Sequence, residues 1–102
     1  MELTIPELSQ VDLDRVLKAL ADPLRRRVVL ELLNDEPDRE RACTSFDLPV
    51  AKSTRTHHWR VLREAGLIHQ RDAGNGTYVR LRREFETRYP GLLTAISTLD
   101  SA

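Results

Sequence analysis

Cysteine is nearly missing: Cys43 stands alone among 102 residues, which excludes an internal disulfide and a multi-cysteine zinc site. A reducing compartment, the cytoplasm, is the expected location. Glycine and proline are scarce, at four and five residues, and aromatic side chains make up 5%. With 40% hydrophobic and 31% charged residues, this describes an ordered, helix-rich chain and not a disordered one. No run approaches the ~20 apolar residues of a membrane span, and MELTIPELSQ lacks the basic start and apolar core of a signal peptide. No membrane partner is expected. Nor is there a recognisable nucleophile, base and orienting acid, or a glycine-rich phosphate loop, so neither catalysis nor a cofactor is expected. Excess charge of either sign is also lacking, since sixteen cations balance sixteen acids.

A net charge of zero argues against a nucleic-acid partner until its distribution is considered. Between Lys52 and Arg83, eight cations face two acids, a net of +6, whereas the first 22 residues hold two cations and five acids, a net of −3. The length suits a single domain, residues 1–102.

Within that domain the patterning predicts mostly helix. Ser9 and Asp12 resemble a capping box, with Leu8 and Leu13 as its hydrophobic staple, opening a helix over about 9–21 whose stripe is Leu13, Val16, Leu17 and Leu20. Asp22 followed by Pro23 is an N-cap with proline at the first helical position, starting a second helix that ends near Asn34. Leu24, Val28, Val29, Leu32 and Leu33 face inward there, with Arg25, Arg26 and Arg27 solvated or at the rim. Asp35–Arg41 is a charged connection. Ala42–Val50 predicts a short strand near Arg41–Cys43 and one or two helical turns before Pro49, which disfavours helix at Leu48.

Ala51–Ala65 is a two-faced helix. Trp59, Leu62 and Ala65 lie on one face with Val61 at its margin, while Ser53, Thr56, His57, Arg60 and Arg63 repeat on the other, and Gly66 suits a left-handed cap. Ile68–Arg71 and Tyr78–Arg82 bracket Gly74-Asn75-Gly76, a hairpin signal because asparagine and glycine tolerate positive φ. One face of that ribbon packs through Ile68, Val79 and Leu81; the other is basic through Arg71, Arg80 and Arg82. Pro90 opens a last helix, about 90–99, with Leu92, Leu93, Ile96 and Leu99 as its stripe, free either to pack on its own domain or to pair with a second subunit.

A helix reads the DNA major groove only if one face anchors it while the other offers hydrogen-bonding side chains to bases and phosphates. On this pattern Lys52, Ser53, Thr54, Thr56 and His57 reach bases or flanking phosphates, Arg60 and Arg63 hold the backbone, and Arg55 joins either set. The hairpin becomes a wing whose tip, Arg71–Thr77 with Asn75, and whose strand residue Arg80 meet the neighbouring groove or phosphates. Helix, helix, short element, basic helix and basic hairpin together make a mainly α fold with a small β-hairpin wing: about five helices and a two- or three-stranded antiparallel sheet.

The run KSTRTHHWRVLREAGLI, preceded by ALADPLRRRVVLELL and followed by RDAGNGTYVRLRR, resembles the ArsR family of winged helix-turn-helix regulators over nearly the whole chain. The resemblance implies that Ser53–Ile68 is the recognition helix and the start of the wing. It also implies a homodimer built from the first and last helices, with Leu13, Val16, Leu17, Leu92, Leu93, Ile96 and Leu99 at the interface, binding a palindromic operator and repressing transcription until a signal arrives. Two departures stand out. Ala42–Val50 is short for a positioning helix and puts Ala51 where a capping Ser is common, and the paired cysteines or C-terminal ligands of metal-sensing members are absent. No metal is expected: His57 and His58 point about 100° apart on a helix, His69 reads as an exposed strand residue, and Cys43 reads as a small buried apolar residue. The inducer stays open. The alternative class is a winged-helix module whose basic face binds an acidic protein surface.

Overall fold

The computed structural model describes residues 1–100. Five α-helices and a three-stranded antiparallel sheet follow one another as α1 (Leu13–Ala21), α2 (Pro23–Leu33), β1 (Arg41–Ala42), a 3-10 turn (Cys43–Phe46), α3 (Lys52–Glu64), β2 (Ile68–Asp72), β3 (Thr77–Leu81), α4 (Phe85–Arg88) and α5 (Leu92–Asp100). None of these helices is long and apolar enough to cross a membrane.

The first helix starts later than a cap at Ser9 implies. Ser9 lies within a 3-10 turn, Leu8–Gln10, and Asp12 is the cap, accepting from the Asp14 amide at 2.9 Å. The extended residue between them, Val11, is 2% exposed, and its carbonyl accepts from Arg88 Nη2 at 3.0 Å and Tyr89 Oη at 3.1 Å. That long-range anchor outweighs the local capping signal. Asp22 does cap α2, its Oδ1 accepting from Leu24 and Arg25 amides at 2.8 and 3.1 Å. Such a cap is worth about 1 kcal/mol. Although burial alone raises the Asp22 carboxyl, the two amides and the Arg25 charge hold it below the ordinary range.

The three arginines of α2 sit at the rim but are joints between elements. Arg25 donates to the Ala19 carbonyl, Arg26 to that of Leu20 with an ion pair to Asp100, and Arg27 to that of Phe46. Arg41 lies 3.9 Å above the Phe46 ring, and Phe46 meets Trp59 with ring centroids 5.5 Å apart. These contacts fix the segment before α3, which holds a single 3-10 turn where one or two helical turns were expected. Asp47 closes that turn with φ 49°, left-handed, and Pro49 follows.

Gly66 ends α3 as expected, with φ +81°. Its amide reaches Arg63 O at 3.0 Å and the Leu67 amide reaches Leu62 O at 3.1 Å, the double bond of a Schellman cap. A Cβ at this position would lie 2.6 Å from Val11 Cγ2, so the reversal from α3 into β2 needs glycine both for its φ and for its lack of a side chain. The sheet order is β1-β3-β2, with Gln70 opposite Val79 and Arg71 opposite Tyr78. The wing tip departs from the Asn-Gly turn: positive φ falls on Gly74, and a four-residue loop closes through Ala73 N to Gly76 O at 2.9 Å. The Gly74 amide bonds Asp72 Oδ1 at 2.9 Å, so an Asx turn sets the tip.

Two pieces had no counterpart in the sequence reading. Residues 1–3 run along the free edge of β2, with Leu3 N to Gln70 O and Asp72 N to Met1 O both at 2.8 Å. Helix α4 buries Phe85 completely and stacks it near Tyr89. The last helix begins at Leu92 and not at Pro90, after Gly91 at φ +79°.

Candidate nucleic-acid interface

Helix α3 turns Trp59 and Leu62 into the core, at 6% and 0% exposure, with Ala65 beside them. That leaves Lys52, Ser53, Thr54, Thr56, His57 and Arg60 exposed along the other side. Ala51, the N-cap, makes no side-chain bond, and the first turn holds no acid. The amides that a capping serine would satisfy are therefore open at the positive end of the helix dipole, beside Lys52. Such an end is electrostatically suited to an anion.

On α3, two residues of the expected contact set are engaged by other parts of the chain. Arg55 is half-buried and donates to Val50 O at 2.8 Å, tying the preceding turn to the helix start. Arg63 is half-buried and donates to Gln70 Oε1 at 2.6 Å, bracing the helix against β2. Arg60 lies 3.1 Å from His57 Nδ1. Because guanidinium only donates, Nδ1 is the acceptor, and the His57 proton sits on Nε2 as an available donor.

His58, one residue on, points inward at 6% exposure, with its Nδ1 3.1 Å from Arg25 Nη1. The same arginine holds the Ala19 and Lys18 carbonyls, so one guanidinium joins the end of α1, the start of α2 and the middle of α3. Burial, against the opposing pull of Asp22 and together with the Arg25 and His57 charges, holds the His58 imidazole below its ordinary range.

On the wing, strand alternation puts Ile68, Gln70, Val79 and Leu81 inward, and His69, Arg71, Tyr78 and Arg80 on the other face. Arg71 is bound by Glu40 at both ends of a fork, Nε to Oε2 at 3.1 Å and Nη2 to Oε1 at 2.8 Å, and lies over the Tyr78 ring. That bond is what lowers the Glu40 carboxyl. Arg80 is half-buried opposite His69, and Asn75 is exposed at the tip. Arg82, read as part of the basic face, is 4% exposed and bonded to Glu84 and Pro6 O. His69 is half-buried, not exposed, and burial with the Arg80 charge lowers its imidazole. Glu40 and Gln70 were missed; their partners lie thirty-one and seven residues away on other elements, a pairing that no helix or strand periodicity encodes.

Elsewhere, Val16 and Leu93 are buried in the chain's own core, at 0% and 2%, and Leu92 and Ile96 are half-buried. Leu13, Leu17 and Leu99 are 43%, 47% and 74% exposed. Cys43 is buried, which pushes its thiol up against the lowering effect of Thr77. No group of three or more His, Cys, Asp or Glu able to hold a metal occurs among the described residues.

Residues 20–71, just over half of the chain, match the helix-turn-helix domain family. The chain is 30% identical over 83 residues to an uncharacterized HTH-type transcriptional regulator, YceK, of Bacillus subtilis, covering 80% of this chain and 83% of that protein. Its fold is similar to that of the transcriptional repressor BigR from Xylella fastidiosa, with a TM-score of 0.65 at 24% identity over 88% of this chain and 87% of the other. It is also similar to an ArsR-like transcriptional regulator from Rhodococcus, with a TM-score of 0.59 at 22% identity over 87% and 82%.

The His58 contact predicts a pH dependence. A group whose imidazole is lowered by folding binds fewer protons folded than unfolded, so its contribution is complete above the ordinary value of 6.5 and is lost as pH falls below it. Urea midpoints should decrease from pH 7.5 to pH 5.5, less steeply in His58→Gln, with His69 carrying the remainder. An NMR titration of His58 at or above 6.5 would contradict this.

Proposed function

Since the chain belongs to the helix-turn-helix family of transcriptional regulators and has the winged fold of its ArsR-type members, we propose that it is a repressor that binds a palindromic operator as a homodimer. Such regulators are DNA-binding and not enzymes. The observation that carries the reading is the uncapped, acid-free start of α3, flanked by exposed Lys52, Ser53 and Thr54 and continued by Thr56, His57 and Arg60. In the major groove, Thr56 and the Nε2–H of His57 meet base edges, while Lys52, the first-turn amides and Arg60 meet phosphates. Arg80 and Asn75 extend the contact to the flanking backbone, and Arg71, bound to Glu40, braces the wing. A cytoplasmic location accompanies this role.

The dimer reading rests on Leu13 and Leu17, one turn apart on α1 and both well exposed, with Leu99 at the end of α5. Large exposed side chains at helical spacing suit a self-complementary contact. Val16 and Leu93, expected at the interface, lie in the chain's own core and not at that surface. Repression is inferred from BigR, a transcriptional repressor whose fold the chain shares.

In DNA titrations, Arg60→Ala should weaken operator and random duplex alike and lower the salt-dependence slope by about 1. Thr56→Ala should cost about 1–3 kcal/mol on the operator and little on random DNA. Equal losses on both duplexes for the two variants would refute that division of labour. Light scattering should give twice the chain mass, and Leu17→Asp should return it to one; a monomer mass for the unaltered chain would exclude the two-fold arrangement.

A further inference from the structure

Between the end of α2, the end of β3, α4 and the first turn of α5 lies a partly enclosed cleft of about 300 Å³. Leu33, Leu81, Phe85 and Leu93 form its apolar walls. Arg82, Arg83 and Glu86 are its charged lining groups, and two of them have partners. Arg82 donates to Glu84 and to Pro6 O, and Glu86 accepts from the Gly91 amide at 2.7 Å.

Arg83 differs. Its guanidinium has no acceptor among the described residues, and its Nε is buried. Buried polar groups are almost always hydrogen-bonded, and leaving one without a partner costs about 1–3 kcal/mol. The Nη atoms, unpartnered but not buried, are the donors that an acceptor from outside the chain can reach. The neighbouring backbone favours an anion as well: Leu93 and Thr94, in the first turn of α5, precede the helix's first i→i+4 bond, from Ala95 N to Gly91 O.

We infer that this cleft is a binding site for a small organic monocarboxylate, with its headgroup on the Arg83 fork and an aliphatic or aromatic body against the four apolar walls. Guanidinium and carboxylate match as a bidentate pair. The volume is at the low end of ligand pockets, about 300–1,000 Å³, which restricts the occupant to a small molecule. Inorganic phosphate would satisfy the charge but leave the walls uncovered. The inference does not rest on DNA binding, because occupancy is read on the protein alone.

The test titrates sodium benzoate into the full chain without DNA while following methyl resonances by NMR. Saturable shifts centred on Leu33, Leu81 and Leu93 are expected. Benzyl alcohol, with the same body but no charge, should bind at least about tenfold more weakly, as should benzoate to Arg83→Met. Phosphate should leave those methyls unmoved. Shifts centred elsewhere, equal binding of benzoate and benzyl alcohol, or equal shifts with phosphate, which would mark an adventitious ion only, would each overturn the assignment. The benzyl alcohol comparison decides the matter even if Arg83→Met does not fold.

Discussion

The seating of Trp59 and Leu62 in the core is the constraint on which the rest depends, because it fixes which side of α3 looks outward. A 100° rotation of that helix toward His57 would bury that imidazole and expose the indole. Burial of two large side chains resists such a rotation by several kcal/mol, since truncating either typically costs about 2–5 kcal/mol. The ends of the helix are set separately. Arg55 holds the carbonyl before its first turn, and the Gly66 reversal sets where β2 and the wing begin.

Arginine does most of the remaining joining. A chain with no net charge has little long-range attraction for DNA as a whole, so what matters is which cations are free to meet it. Of the eight in the basic stretch, Arg55, Arg63, Arg71 and Arg82 are bound to partners inside the chain. Lys52, Arg60 and Arg80 face outward or along the sheet's open side, and Arg83 lines a cleft away from α3. The planar fork of guanidinium suits the internal role, since it can satisfy two carbonyls or one carboxylate at once. The basic stretch is thus partly a scaffold that presents a smaller cationic surface.

Much of this was legible in the sequence. Period 3.6 over Lys52–Ala65 separated inward Trp59 from outward Thr56 and Arg60 because a single helix with one buried face writes both stripes. Asp22-Pro23 and Gly66 marked helix ends because their roles are local. What escaped was non-local. The start of α1 is decided by Val11, whose carbonyl is held by residues almost eighty positions away, and Arg71 is claimed by Glu40 across the sheet. Short elements escaped as well: four residues of α4 are too few to show a period, and the 3-10 turn before α3 is held by contacts from Arg27 and Arg41.

The central claim is that two copies of α3 read DNA in a fixed geometry. Selecting bound fragments from a random duplex library tests it most directly. The account predicts an enriched inverted repeat whose half-sites are about one helical turn apart, ~34 Å, or a multiple of it. Absence of any enriched sequence, or enrichment of one site without two-fold symmetry, would contradict it.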